Sequence, residues 1–190
     1  KQLQNRGYDS AGLSISTKDS FKTLKYASTN EINSLTKLET EVLSRNYKLN
    51  DDINIGIGHT RWATHGAKTD INSHPHVSFN NKVIVVHNGI IENYYAIKND
   101  LINKGIKFIS ETDTEVISNL IAFNYDKIPN ITFIEAIQIS LAKLEGTWGL
   151  LIINTESPNK LYCVRKGSPL LVSQNEDFII ISSEQSGFNG

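Results

Sequence analysis

The sequence predicts an α+β fold in which antiparallel sheets carry helices on their outer faces. Three observations predict it. Segments of period-two hydrophobicity open the chain, three helix patterns cluster in its middle, and only strand patterns follow. This order lacks the steady strand-helix alternation of a doubly wound parallel fold. Nothing in the composition divides the 190 residues, and one domain of this length buries an adequate core without staples.

The elements follow in order. "AGLSISTK" (11–18) alternates small or apolar with polar residues, and "FKTLKYAS" (21–28) does the same, with "KDS" placed to turn a hairpin between them. In 31–46, Ile32, Leu35, Leu38, Val42 and Leu43 fall at helical spacing. In "INIGIGHT" (53–60), Ile53, Ile55 and Ile57 share one face, and the glycines opposite invite close backbone or ligand approach. An irregular stretch from 61 to 80 has the length of a functional loop. "KVIVVHNG" (82–89) is a buried strand with a polar end. A helix over 92–105 ends at Gly105; two more open with Thr112/Glu115 and Thr132/Glu135 in capping-box spacing. "TWGLLIINT", "KLYCVRKG", "PLLVS" and "DFIIISSE" complete the strands. The first residues, "KQLQNRGYDSAG", read as the tail of a helix entering a strand, so the chain is expected to be an internal piece of a longer polypeptide.

Composition narrows the functional classes. A net charge of −1 gives no electrostatic reason to bind nucleic acid or an anionic membrane. The apolar runs are far too short to span a bilayer. A single cysteine excludes an internal disulfide framework and suits a reducing, cytoplasmic compartment. That cysteine, Cys163, alternates with Tyr162 and Val164 on a strand and is expected to be a small buried hydrophobe.

All five histidines lie between 59 and 87, in "GHTRWATHG", "SHPHV" and "VVHNG". One reading is metal: His74 and His76, with His59 or His65, have the makings of a zinc site, although no HExxH pattern or neighbouring acid supports it. The other is a hydrogen-bonding pocket. Arg61 has the fork to grip a carboxylate, or it pairs with a structural acid while Trp62 fills the core. Asn88 supplies an amide donor and Gly89 a closely approachable backbone N–H, the makings of an oxyanion hole. Asn-Gly is also a favoured turn, but "IIEN" after it reads as a continuing element. Asp113 sits in the first turn of a helix, where the macrodipole alone justifies it; it also suits a ligand's ammonium. Arg61 and Asp113 together would read an α-amino acid.

"RGYDSAG", "HTRWATHG", "HPHV", "VVHNGIIEN" and "SETDTEV", in this order, with "GTWG" and "RKGSPL" beyond, resemble the glutaminase domain of the glutamine:fructose-6-phosphate aminotransferase (isomerizing) family of class II glutamine amidotransferases, the glucosamine-6-phosphate synthases. The resemblance spans essentially residues 1–190. The related amidophosphoribosyltransferases usually carry Gln where Tyr8 stands and "RYST" for "RWAT".

The resemblance implies a four-layer αββα sandwich of the N-terminal-nucleophile hydrolase type. It implies hydrolysis of glutamine to glutamate, with ammonia passed to C-terminal sugar-phosphate isomerase domains of the same polypeptide, in a homo-oligomer, without metal or cofactor. The family's nucleophile is an N-terminal cysteine whose own α-amine, of pKa about 7.7–8.0, is the base. By the resemblance that cysteine lies before Lys1, so these 190 residues alone are expected to hold the pocket and not the reactive thiol. Carried over residue by residue, Arg61 matches the binder of the α-carboxylate and Asp113 that of the α-amine. Asn88 and Gly89 match the oxyanion hole. Trp62, Thr64 and His65 match the loop closing over glutamine, and Arg6 and Gly7 match positions beside the nucleophile. His59, His74, His76 and His87 are implied to be a supporting network. A non-catalytic glutamine- or glutamate-binding module and a metal-dependent hydrolase are the competing functional readings.

Overall fold

Strand alternation divides the chain into layers, and three separate apolar cores show where the layers meet. The structure is a computed structural model describing residues 7–17, 20–45, 55–62 and 67–188. Strands β1 (Ser10–Ser16), β2 (Phe21–Ala27) and β3 (Gly56–Arg61) form an antiparallel sheet in the order β2-β1-β3. β4 (His76–Val77), β5 (Val83–Ile91), β6 (Gly146–Asn154) and β7 (Leu161–Lys166) form a second antiparallel sheet in that order. β8 (Leu171–Gln174) and β9 (Ile179–Ser182) form a two-stranded ribbon. The helices are α1 (Ser34–Arg45), α2 (Tyr94–Asn103), α3 (Asp113–Lys127) and α4 (Phe133–Leu141).

The period of two sorts each strand's residues between layers. On β5, Val83 and Val85 join the core beneath α2–α4, whereas Ile84 and Val86 join the core between the sheets. On β6, Leu150 and Ile152 take the helix side and Ile153 the inter-sheet side, with Leu151 packed beside it. Across the first sheet, Ala11 and Leu24 pack with Leu38 of α1, supported by Leu13, Tyr26, Leu35 and Val42. The layers are therefore α1, first sheet, second sheet and α2–α4, which is the αββα sandwich. Full burial of each Ile, Leu or Val here contributes about 1.5–3 kcal/mol. The inward face of β1 is small, Ser10, Gly12 and Ser14, and a Cβ on Gly12 would stand 2.1 Å from the His74 carbonyl oxygen. That smallness lets the segment around His74 lie against the sheet.

Several local expectations are sharpened. Helix α1 starts at Ser34, so Ile32 precedes it, and Leu43 is 81% exposed; Leu35, Leu38 and Val42 alone form the packed stripe. Ile53 and the end of the 31–46 pattern lie outside the described residues. Thr132 and Glu135 make a reciprocal capping box. Thr112 accepts from the Glu115 N–H, but the Glu115 carboxylate turns to the N–H groups of Ile109 and Ser110, at 2.8 and 2.6 Å. The box is thus half formed, and its acid ties down the segment before α3 instead.

The segment after residue 66 is irregular but fastened. Lys25, on the inward face of β2, donates to the carbonyls of Ile71 and Ser73 at 3.0 and 2.9 Å. Burial pulls its pKa down to about 8, with Glu115 and Asp70 opposing. Asn72 donates to the Ala67 carbonyl and to Glu111, and Asp70 accepts from the Ala27 N–H.

Cys163 is exposed, which corrects the expectation of a buried strand residue. It lies on β7, the edge strand of its sheet. Tyr162 and Val164 face the helical core, and on the other face Leu161 packs against the inter-sheet core while Cys163, beside Leu151, stays exposed at the sheet edge. Among the described residues no helix is long and apolar enough to cross a membrane.

Candidate active site

The site forms where the inward faces of β3 and β5 oppose each other. On β3, Ile57, His59 and Arg61 share one face by the two-residue period, and Ile57 anchors that face in the inter-sheet core. On β5, Ile84, Val86 and Asn88 do the same from the second sheet. Past the core the two faces separate around a cavity of about 320 Å³, a size typical of small-molecule sites. Arg61, Trp62, Asn88, Gly89 and Asp113 line it, together with Ser168 from the β7–β8 connection and Ser182 from β9.

Each lining group is held by its own element. Arg61 ends β3 and is only 6% exposed; burial lowers its pKa, opposed by the charges of Asp9 and Asp113. Gly7 packs behind it, where a Cβ would stand 2.5 Å from the Arg61 carbonyl carbon, and the Asp9 N–H donates to the Arg61 carbonyl at 3.1 Å. Trp62 is 57% exposed and tilts against Tyr8 at 5.7 Å between ring centres. It is a wall of the cavity mouth and not core filling.

Strand β5 continues to Ile91, so His87-Asn88-Gly89 is not a hairpin turn. Gly89 has φ +138°, and a Cβ there would lie 2.1 Å from the Thr147 carbonyl oxygen of the paired strand, so only glycine fits. Asp113 opens α3, where its Oδ2 accepts the Ile91 N–H at 2.9 Å. That bond turns the end of β5 and the start of α3 into one rigid corner beside the cavity.

The histidines surround this corner. The His59 and His74 rings lie 4.2 Å apart, and His76 meets His74 edge-on at 4.9 Å. His59 Nε2 bonds Asn88 Oδ1 at 2.8 Å, His74 Nε2 bonds Thr114 Oγ1 at 2.8 Å, and His76 Nε2 bonds Thr112 Oγ1 at 3.0 Å. His87 reaches Thr114 Oγ1 through Nδ1 at 3.1 Å and the Thr147 carbonyl through Nε2 at 3.4 Å. Burial is the first cause lowering all four pKa values, His59 to about 4, so the rings are neutral at pH 7. Among the described residues no three His, Cys, Asp or Glu side chains are grouped to hold a metal ion, and the bonded ring nitrogens face hydroxyls, an amide and a carbonyl.

Five of the nine residues singled out from the sequence thus line one cavity, and Gly7 backs it; Arg6, Thr64 and His65 lie outside the described residues. The sequence reading missed Thr112 and Thr114, whose hydroxyls receive the histidines. Their only signal is the Thr-Asp-Thr opening of α3, which reads as helix capping. It assigned no role to the C-terminal part of the lining, whose Ser168, Pro169 and Leu170 fall within "RKGSPL" and whose Ile181, Ser182 and Ser183 end the last strand pattern.

A buried arginine and an aspartate face one cavity beside an amide and a glycine backbone, which places a cation, a carboxylate and hydrogen-bond donors around one space. The fold has relatives among solved structures. It is similar to the glutamine phosphoribosylpyrophosphate amidotransferase from B. subtilis, with a TM-score of 0.77 and 25% identity over 98% of this chain and 38% of that one. It is equally similar to a structure described as the allosteric regulatory enzyme of purine biosynthesis, with a TM-score of 0.79 at the same identity and coverage. The fold is the αββα sandwich of the N-terminal-nucleophile hydrolase type.

Residues 59–189 match the family model of the glutamine amidotransferase domain, and the chain belongs to that family. It is 40% identical to a glutamine–fructose-6-phosphate aminotransferase (isomerizing) of Corynebacterium glutamicum over 99% of this chain and 29% of that protein. The counterparts of Clostridium acetobutylicum and Pyrococcus horikoshii are 42% and 40% identical. The chain spans under a third of these relatives' length.

Proposed function

We propose that this domain hydrolyses glutamine and supplies the ammonia to sugar-phosphate isomerase domains of the same polypeptide, which convert fructose 6-phosphate to glucosamine 6-phosphate. The observation carrying this reading is the convergence of Arg61, Asn88, Gly89 and Asp113, from two sheets and a helix, on one cavity. Arg61 forks onto the α-carboxylate and Asp113 takes the α-ammonium, which leaves the side-chain amide directed at Asn88 and Gly89.

A thiolate then attacks the amide carbon. The carbonyl electron pair moves onto oxygen, where the Asn88 amide and the Gly89 N–H stabilise it. Collapse expels the nitrogen as ammonia after the base returns the thiol's proton, and water releases glutamate from the thioester. Cys163 does not line the cavity, so we assign the thiol to a cysteine outside these 190 residues, with its α-amine as base. Trp62 bounds the mouth, and Thr64 and His65 belong to the closing loop in this reading.

Steady-state glutaminase assays of the full-length enzyme test these roles. Asn88→Ala is expected to lower kcat roughly 10²–10³-fold, the usual cost of one oxyanion donor. Arg61→Lys is expected to raise KM for glutamine about tenfold or more through loss of the fork. Normal turnover in the first variant, or an unchanged KM in the second, would remove that residue from the proposed machinery.

A further inference from the structure

We propose that His59 is a positioning residue that holds the Asn88 carboxamide with its N–H groups turned into the cavity. The inference rests on the reading of Asn88 as oxyanion donor and adds what makes that donor point the right way. A carboxamide is nearly symmetric in shape, so packing alone cannot tell its oxygen from its nitrogen. A polar partner must choose. Here the partner stands on the opposite sheet: His59 on β3 meets Asn88 Oδ1 on β5 at 2.8 Å. A carbonyl oxygen only accepts, so His59 Nε2 carries the hydrogen and the ring is the neutral Nε2–H tautomer. With its oxygen captured on the β3 side, the planar amide must present its NH2 on the other.

The ring is itself held. It stacks on His74 at 4.2 Å with 31° between the planes, and His74 is tied to Thr114 of α3 at 2.8 Å. Helix α3 thus braces His74, His74 braces His59, and His59 sets Asn88. His59 and Arg61 are two residues apart on one strand face, so a single β-strand registers the proposed carboxylate clamp against the orientation of the oxyanion donor. Without the His59 N–H, the Asn88 amide is free to turn over. Its oxygen would then face the developing oxyanion and repel it. Substrate binding through Arg61 and Asp113 does not depend on that choice.

The test uses glutamine hydrolysis by the full-length enzyme. His59→Phe keeps a flat ring and removes the donor; kcat is expected to fall roughly 10–100-fold with KM for glutamine within about twofold. His59→Gln, whose Nε2 supplies a donor at the same reach, is expected to restore most of kcat. In an Asn88→Ala background, His59→Phe should cost nothing further, because there is no amide left to orient. Where His59→Phe does not fold, His59→Gln against the isosteric His59→Met makes the same comparison of donor against no donor. A normal kcat in His59→Phe beside a slowed Asn88→Ala overturns the role of His59 alone. So does a full extra loss on adding His59→Phe to Asn88→Ala, or failure of His59→Gln to recover activity in a folded protein. Normal turnover in Asn88→Ala overturns the oxyanion reading and this inference with it.

Discussion

Thr114→Val isolates the hydroxyl on which two buried histidines depend. Thr114 is fully buried, and valine has nearly its shape, so packing changes little. The proton inventory can be written out. The Thr147 carbonyl only accepts, so His87 Nε2 carries a hydrogen toward it at 3.4 Å, and Nδ1 is left as an acceptor. Thr114 Oγ1 accepts from His74 Nε2–H at 2.8 Å, and its one hydrogen is directed to His87 Nδ1 at 3.1 Å with Asp113 Oδ1 as a longer second acceptor at 3.4 Å. Valine therefore strands one buried donor and one buried acceptor. At about 1–3 kcal/mol for each unsatisfied group, the loss is about 2–6 kcal/mol, a large part of a typical domain's stability. Urea unfolding followed by tryptophan fluorescence measures it, since Trp148 lies in the core beneath α2–α4. Thr114→Ser, which keeps the hydroxyl, is expected to recover more than half of the loss. A midpoint in Thr114→Val within about 0.5 kcal/mol of the parent, or equal losses for Val and Ser, would refute the hydroxyl's role as hub.

Three further outcomes are expected. Gly89→Ala combines a positive φ with a Cβ 2.1 Å from the Thr147 carbonyl oxygen; it should destabilise by more than about 2 kcal/mol, read as a lowered urea midpoint, and an unshifted midpoint would contradict the strand geometry. Acid should weaken the fold from pH 6.5 downward. His59 titrates near 4 when folded and near 6.5 when unfolded, so the unfolded chain binds the extra proton in that window. Stability is then full above 6.5 and declines by about 1.4 kcal/mol per pH unit for each such histidine, and equal unfolding midpoints at pH 7 and pH 5 would oppose this. Cys163→Ser should leave glutaminase activity of the full-length enzyme within about twofold, because Cys163 is exposed on an edge strand and is not among the residues lining the cavity; abolished activity in a folded protein would reverse the assignment.

Much of the architecture was legible because strands and helices impose periods that a linear sequence displays. Short continuous apolar runs in "KVIVVHNG" and "TWGLLIINT" mark buried strands, and Thr132 with Glu135 marks a helix start that the structure reproduces as a full capping box. Where a period was broken by exposure, the reading erred. Leu43 continues the helical stripe but has no layer above it, and Cys163 continues the strand but stands exposed at the sheet edge.

The candidate site divides along the same line. Its residue types were set by the sequence: a forked cation, an amide beside a glycine, and an acid at a helix start need no fold to be recognised as donors and acceptors. Their convergence was decided only in three dimensions, since Arg61, Asn88 and Asp113 come from β3, β5 and α3. So were their orientations. Spacing does not state that His59 meets the oxygen of Asn88, or that Thr114 stands between His74 and His87, because those bonds join residues 29, 40 and 27 positions apart. A sequence records which groups are available. Only the packing of one sheet on another, with a helix at their corner, settles which hydrogen each group gives and to whom.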